Sequence, residues 1–213
     1  MIITSIRKRR SDAEIIFDDS SKLIVDYRIV FDNALRKNDE ITEKRKNDLI
    51  NQNEKLNVKD SAFRLLGRRQ HSFFELKQKL IRRGNSKDIV ELVLSDLRSN
   101  GYIDDLEFAK TFRDEKLKKR KSGLSKIKAG LFQKGVDSKI IEAVLEETDK
   151  TSSEGIAFEL AEKKLHSVKL KENDQRKIRQ KLSAYLFSKG FDGEIIRNVI
   201  DKLNQEEDEF SDL

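Results

Sequence analysis

Leu76-Lys77-Gln78-Lys79-Leu80-Ile81-Arg82-Arg83-Gly84, Ile127-Lys128-Ala129-Gly130-Leu131-Phe132-Gln133-Lys134-Gly135 and Leu182-Ser183-Ala184-Tyr185-Leu186-Phe187-Ser188-Lys189-Gly190 are three copies of one segment. Each carries an apolar residue eight and four positions before its glycine. Two residues after the glycine comes Ser86, Asp137 or Asp192, then Ile89-Val90, Ile140-Ile141 or Ile195-Ile196, then Val93-Leu94, Val144-Leu145 or Val199-Ile200. Spacings of i, i+4 before the glycine and i, i+1, i+4, i+5 after it describe two amphipathic helices joined by a tight turn. Gly84, Gly135 and Gly190 read as helix C-caps, since only glycine enters the left-handed region without steric cost. A leading helix before each pair completes a three-helix module.

Working outward, the modules are assigned to residues 58–101, 102–149 and 150–204. Ser72-Phe73-Phe74-Glu75 has the form of a capping box, in which the serine hydroxyl and the glutamate carboxylate take backbone N–H groups at a helix start. Asp104 with Glu107 repeats the device, flanked by Ile103 and Phe108 as a hydrophobic staple, and Thr151 with Glu154 repeats it again. Residues 1–57 follow other rules. Ile2 to Arg9, Glu14 to Phe17 and Lys22 to Tyr27 are rich in β-branched or aromatic residues and are separated by polar turns, which predicts an antiparallel meander. A short helix should follow, with Tyr27, Val30, Phe31 and Leu35 on its apolar face. A weakly apolar helix from about Thr42 to Leu56, with Ile41, Leu49, Ile50 and Leu56, reads as a connector rather than core. Residues 205–213 form an acidic tail. The expected fold is mainly α: three tandem three-helix modules in an elongated curved array, behind a small N-terminal β-meander and linking helices.

Proline is absent, so nothing in the composition interrupts helices, and with no cysteine there are neither disulfides nor thiolate metal sites. Only His71 and His166 could supply imidazoles. No secretory signal and no long apolar run is present, which predicts a soluble cytoplasmic protein. Charge is unevenly spread. Residues 61–134 hold 19 cations against 9 carboxylates, a net +10, whereas residues 135–213 hold 13 against 18, a net −5. So divided a field suits a polyanion, or an acidic face of a partner, held by the middle modules.

Several chemical motifs fail on inspection. Gly130 to Gly135 has the glycine spacing of a phosphate-binding loop, but Val136-Asp137 stands where Lys-Ser/Thr is required. Asp104 and Asp105 pair as helix cap and first-turn residue rather than as acid and base. The second helices of the glycine pairs carry Glu91, Asp96, Glu142, Glu146 and Glu147, which argues against major-groove reading. No enzyme, metal site or cofactor is expected. What remains is a basic constellation: Arg68, Arg69, Lys77, Arg82, Arg83, Lys116, Lys118, Lys119, Arg120, Lys121, Lys126, Lys128 and Lys134. Recurrence on equivalent helices would align these cations into one stripe facing phosphates or carboxylates. Phe73, Phe74 and Phe112 read as packing residues, not base-stacking platforms.

Gly101-Tyr102-Ile103-Asp104-Asp105-Leu106-Glu107-Phe108-Ala109, followed by Gly123, Ile127, Leu131 and Lys134-Gly135-Val136, resembles the central signature of the RecX family of bacterial RecA regulators. Arg68-Arg69 through Ser72, Glu75, Leu76, Leu80 and Gly84 resembles that family's first module, and the β-rich start resembles the extension of members from low-GC Gram-positive bacteria. The likeness is strongest over residues 62–147. One departure is Ser122-Gly123-Leu124, where many members carry a Gly-Pro or similar pair. The resemblance implies a non-enzymatic, monomeric modulator in DNA repair, homologous recombination and the SOS response. Such a protein would lie in the groove of the RecA–DNA filament and limit strand exchange, ATP hydrolysis and coprotease activity. It also implies that Tyr102, Asp104, Asp105, Phe108 and the three turn glycines are structural. A different class, a sequence-nonspecific nucleic-acid binder acting without a recombinase, fits the same charges.

Overall fold

The computed structural model describes the backbone of residues 1–119, 121–148 and 150–211, and the side chains of those stretches except 150, 151 and 206–211. The protein is mainly helical, with one three-stranded antiparallel sheet at its N-terminus. Its chain divides into two compact units, Met1–His71 with Leu76–Ile103, and Ser72–Glu75 with Asp104–Leu213. Among the described residues no helix is long and apolar enough to cross a membrane.

Unit 1 opens with β1 (Ile3–Arg9), β2 (Asp12–Phe17) and β3 (Lys22–Asp26) in the order β1-β2-β3. Alternation puts Ala13, Ile15 and Phe17 of β2 and Leu23 and Val25 of β3 on the buried face, leaving Ile24 exposed. On β2, Glu14 takes Arg9 and Lys22 at 3.2 Å each. After the sheet, α1 (Tyr27–Asp32) buries Ile29 and Val30. Phe31, expected on its apolar face, is instead 77% exposed, because a helix this short can turn only one narrow stripe inward.

A larger difference concerns α2, which runs unbroken from Glu43 to Leu66, so the expected connector and the leading helix of the first module are one helix. It is also not mere connector: Leu49 is fully buried in the sheet's core, with Ile41 just before the helix, although Ile50 faces outward. Asn53 on α2 accepts the Asp26 N–H at 2.7 Å, and Asp60 pairs with Arg28. Farther along, Val58, Ala62 and Leu65 are buried as α2 packs on α4 (Lys87–Ser99), whose own stripe is Val90, Val93, Leu94 and Leu97. Between them in sequence lies α3 (Phe73–Ile81), whose first turn groups with unit 2.

In unit 2, α5 (Asp105–Lys118), α6 (Leu124–Gln133) and α7 (Ser138–Glu146) enclose Phe108, Ala109, Ile127, Leu131, Ile141 and Val144. A second core, within α8 (Lys150–Lys169), α9 (Gln175–Lys189) and α10 (Gly193–Ser211), holds Ala157, Ala161, Leu182, Leu186, Ile196 and Val199. α8 already begins at Lys150, which puts the Thr151 backbone inside its first turn, while the side chain expected to cap this helix lies outside the described residues. The acidic run after 204 continues α10 as helix through Ser211. Side chains from Glu206 onward, and Asp212 and Leu213 entirely, lie outside the described residues.

All three repeated glycines are left-handed, with φ of +87°, +67° and +90° at Gly84, Gly135 and Gly190. Behind Gly190, Phe191 N–H reaches Leu186 O at 3.3 Å, the closing bond of a Schellman-type cap, and Val136 N–H reaches Leu131 O at 3.2 Å behind Gly135.

At Gly190 a Cβ would lie 2.6 Å from Lys126 Cβ and 2.7 Å from its backbone nitrogen, so strain adds to the conformational cost. We expect Gly190→Ala to destabilise the protein by about 2 kcal/mol or more in urea titration, whereas Gly155→Ala, exposed within α8 with open space around it, should stabilise by about 0.5–1 kcal/mol. Equal effects of the two would contradict this account. A second expectation concerns acid. The hydrogen bond from Lys22, aided by Arg9 and Arg7, holds the Glu14 carboxyl below its ordinary pKa. Its contribution is therefore present above that ordinary value and lost as pH falls through the folded one. Melts from pH 7 to pH 3 should show a shallower acid-induced loss for Glu14→Gln than for the wild type.

Candidate functional site

A helix leaves its first N–H groups and its last carbonyls without internal partners. In unit 2 these two kinds of orphan meet. Ser72, buried at the start of α3, accepts the Glu75 N–H at 3.1 Å and donates its hydroxyl to Lys134 O at 2.6 Å. That carbonyl belongs to the turn at Gly135. Phe73 N–H donates to Asp105 Oδ1 at 2.8 Å, and Glu75 takes the Lys134 ammonium at 3.2 Å. Phe74 lies directly beneath Gly135, where a Cβ would come within 2.4 Å of its ring.

The same seat recurs twelve residues before the next glycine. Gly123 N–H donates to Lys189 O at 2.9 Å, and Ser125 N–H to Gly190 O at 3.1 Å. A Cβ on Gly123 would fall 2.2 Å from Gly190 O, which accounts for glycine in Ser122-Gly123-Leu124 and for an N–H donor there. Thus each of these two glycine turns rests on the start of the helix that opens the preceding glycine pair. Both seats lie within unit 2.

Of the residues read from sequence as structural, Asp104 caps α5 by accepting the N–H groups of Leu106 and Glu107 at 2.8 and 3.1 Å. Asp105 differs from its expected role. It does sit in the first turn of α5, but its carboxylate is buried and caps α3. Phe108 is core, and Tyr102 lays its ring edge-on to Phe63 at 5.0 Å between centroids. His71 is buried, with Nδ1 at Arg69 O and Nε2 at the Lys79 ammonium.

The cations sort into two sets. Lys77 pairs with Glu91, Lys121 with Glu159 and Lys134 with Glu75, so these three serve the fold. In unit 1, Arg68, Arg69, Arg82 and Arg83 are exposed, the last two at the end of α3. In unit 2, Lys118, Lys119, Lys126 and Lys128 are exposed and Lys116 is half-buried, its ammonium 5.0 Å from the centre of the Phe112 ring. Arg120 lies outside the described residues. Two cations escaped the sequence reading. Arg113 donates to Val144 O at 3.0 Å near the end of α7, a long-range bond with no local signature. Lys189 stands at the second seat, and its repeat equivalence to Lys134 is the signal that could have found it.

The arrangement has known counterparts. Three family models match, described as the first, second and third three-helix domains of RecX, over residues 59–97, 104–145 and 154–200. The regulatory protein RecX of Clostridioides difficile is 31% identical over 205 residues, covering 95% of each chain. That of Clostridium beijerinckii is 30% identical over 199 residues, covering 93% of this chain and 92% of the relative. Among solved structures, a regulatory protein RecX superposes with a TM-score of 0.75 at 22% identity, over 94% of this chain and 98% of the other. RecX from Lactobacillus salivarius gives 0.66 at 22% identity, over 71% and 97%. At such identity these two likenesses bear on the fold alone.

Removing the Asp105 acceptor takes away its hydrogen bond from the Phe73 N–H and should weaken the seat. Asp105→Ala is expected to cost about 1–3 kcal/mol of stability, and Asp105→Asn, which keeps an acceptor oxygen, clearly less. Chemical denaturation of both variants checks this; indistinguishable losses would argue that the negative charge of Asp105, and not its acceptor oxygen, holds the seat.

Proposed function

We propose a function from the premise that this chain belongs to the RecX family: it regulates a RecA recombinase by binding the RecA–DNA filament along its groove, limiting strand exchange, ATP hydrolysis and coprotease activity. It acts as a cytoplasmic monomer without catalysis of its own. The observation that carries this reading is near-full-length similarity to proteins named regulatory protein RecX, with all three three-helix domains matched in order. The chemistry agrees with it. Among the described residues, Arg68, Arg82 and Arg83 in unit 1, and Lys116, Lys118, Lys119, Lys126 and Lys128 in unit 2, have no carboxylate partner assigned by the fold, in contrast to Lys77, Lys121 and Lys134. Such groups are free to meet backbone phosphates or an acidic protein face. Their attraction would speed encounter and orient docking, with sequence playing no part. The same role is proposed for Arg69 and Arg120.

A direct nucleic-acid binder working without a recombinase rests on the same exposed cations, and one experiment separates the two. With RecA on single-stranded DNA, the protein is expected to inhibit ATP hydrolysis at substoichiometric ratios and to bind filaments better than naked DNA. Replacing Arg82, Arg83, Lys118 and Lys119 with glutamate should raise the protein needed for half-inhibition by about tenfold or more. Equal binding to naked DNA and filament, with ATP hydrolysis untouched, would install the second reading in place of the first. Unchanged inhibition by the charge-reversed variant would remove the basic surface from the mechanism.

A further inference from the structure

The second seat in unit 2 encloses more than a joint. Lys116 from α5, Lys126 from α6 and Lys189 from the end of α9 line one hollow of about 540 Å³, with Phe112, Ser122 and Gln133 among its other walls. A hollow of this size lies in the range of small-ligand sites. Among the described residues no carboxylate lines it, and none of the three lysines has a carboxylate partner. Their ammonium groups have only weak partners: Lys126 with Ser188 O at 3.4 Å, Lys116 with the Phe112 ring at 5.0 Å, and Lys189 with the Tyr185 ring at 5.4 Å. Three like charges around one concavity repel one another, and each shares the field of the others with whatever enters. The occupant that offsets this repulsion is an anion with several acceptor oxygens.

The repeat shows that the charge is not required by the joint itself. At the first seat, the residue equivalent to Lys126 is Glu75, and it neutralises Lys134, the equivalent of Lys189. The same two positions thus hold a salt bridge in one joint and two cations in the other. We infer that the hollow between α5, α6 and the end of α9 is a phosphate-binding site, with Lys116, Lys126 and Lys189 as its donors. Ser122, whose residue is buried in the wall, supplies a hydroxyl beside them. Phosphate suits three ammonium donors better than carboxylate does, because its oxygens diverge and can each take one. Two sources share that chemistry, the backbone of a nucleic acid and a free nucleotide or inorganic phosphate. The inference rests on the reading of these modules as lying against the nucleic acid of a filament, but is tested with no recombinase present.

The experiment compares the full chain with Lys116→Gln/Lys126→Gln/Lys189→Gln, which keeps polar side chains in place of the three ammonium groups, and with Lys139→Gln/Lys163→Gln/Lys177→Gln, which removes equal charge from exposed positions elsewhere in unit 2. Thermal melts establish that all three fold. Fluorescence anisotropy with a labelled strand of roughly 20 nucleotides, over a salt series, is expected to show at least about tenfold weaker binding for the hollow variant. Its plot of log affinity against log salt should be shallower by about 0.7 for each phosphate that is no longer neutralised. The control should bind less than about threefold more weakly. A titration with ATP and with inorganic phosphate, followed through lysine Nζ chemical shifts, forms the other arm. Perturbation of the three lysines by ATP with unaltered strand binding assigns the site to a free phosphate and still supports it. Equal weakening in the two triple variants, with no response to any phosphate, overturns it. That failure would leave inhibition of recombinase ATP hydrolysis, measured separately, unaffected.

Discussion

Seating a glycine turn on a helix start satisfies two sets of backbone groups at once, and the order of unit 2 depends on it. The N–H groups opening α3 and α6 have no partners within their helices, and neither do the carbonyls beside Gly135 and Gly190. Water could serve both if the modules were separate. Buried, each orphan would cost on the order of 1–3 kcal/mol, so the modules must meet in a register that pairs them. Ser72 supplies the donor at one seat and the Gly123 backbone at the other. Modules of this size are marginal alone, and a joint that both buries surface and closes hydrogen bonds is what makes their sum stable.

This constraint governs which polar residues remain for function. Asp104 and Asp105 look like a chemically active pair, yet each is consumed by a helix start, one its own and one in α3. Glu75, Lys77, Lys121 and Lys134 are likewise held by partners. The exposed arginines and lysines that no carboxylate takes are therefore what the fold leaves over, and they concentrate in the stretch with the largest positive balance. Solvated cations on helix faces contribute little to stability, which leaves them open to interaction with an external polyanion.

How much of this was legible in the chain follows from the range of each interaction. The glycine turns, the Asp104 cap and the meander are local, and local spacing revealed them. The continuity of α2 was hidden, because Lys44 to Lys59 alternates charged and amide residues with few apolar ones, and the helix owes its order to a sheet on one part and α4 on another. Periodicity alone also placed Phe31 inside, although only one stripe of so short a helix finds a partner. The Phe73–Asp105 bond spans 32 residues and the Ser72–Lys134 bond 62, so neither leaves a mark on nearby sequence. For the same reason the basic constellation could be named but not divided: nothing near Lys121 announces Glu159.

The repeat carries one further step, because equivalent positions can be compared as if they were substitutions. The residue nine before each turn glycine is Glu75, Lys126 or Lys181, and the one immediately before it is Arg83, Lys134 or Lys189. The terminal basic position is thus kept in all three copies, while its environment changes. Lys134 meets Glu75 and is locked into a joint. Arg83 precedes a turn where a Cβ on Gly84 would meet open space. Lys189 docks by its carbonyl onto Gly123, while its side chain lines the hollow together with Lys126 and Lys116. Backbone seating is therefore separable from side-chain pairing: the joint needs the carbonyl, and the ammonium group is free to be neutralised from inside the protein or from outside it.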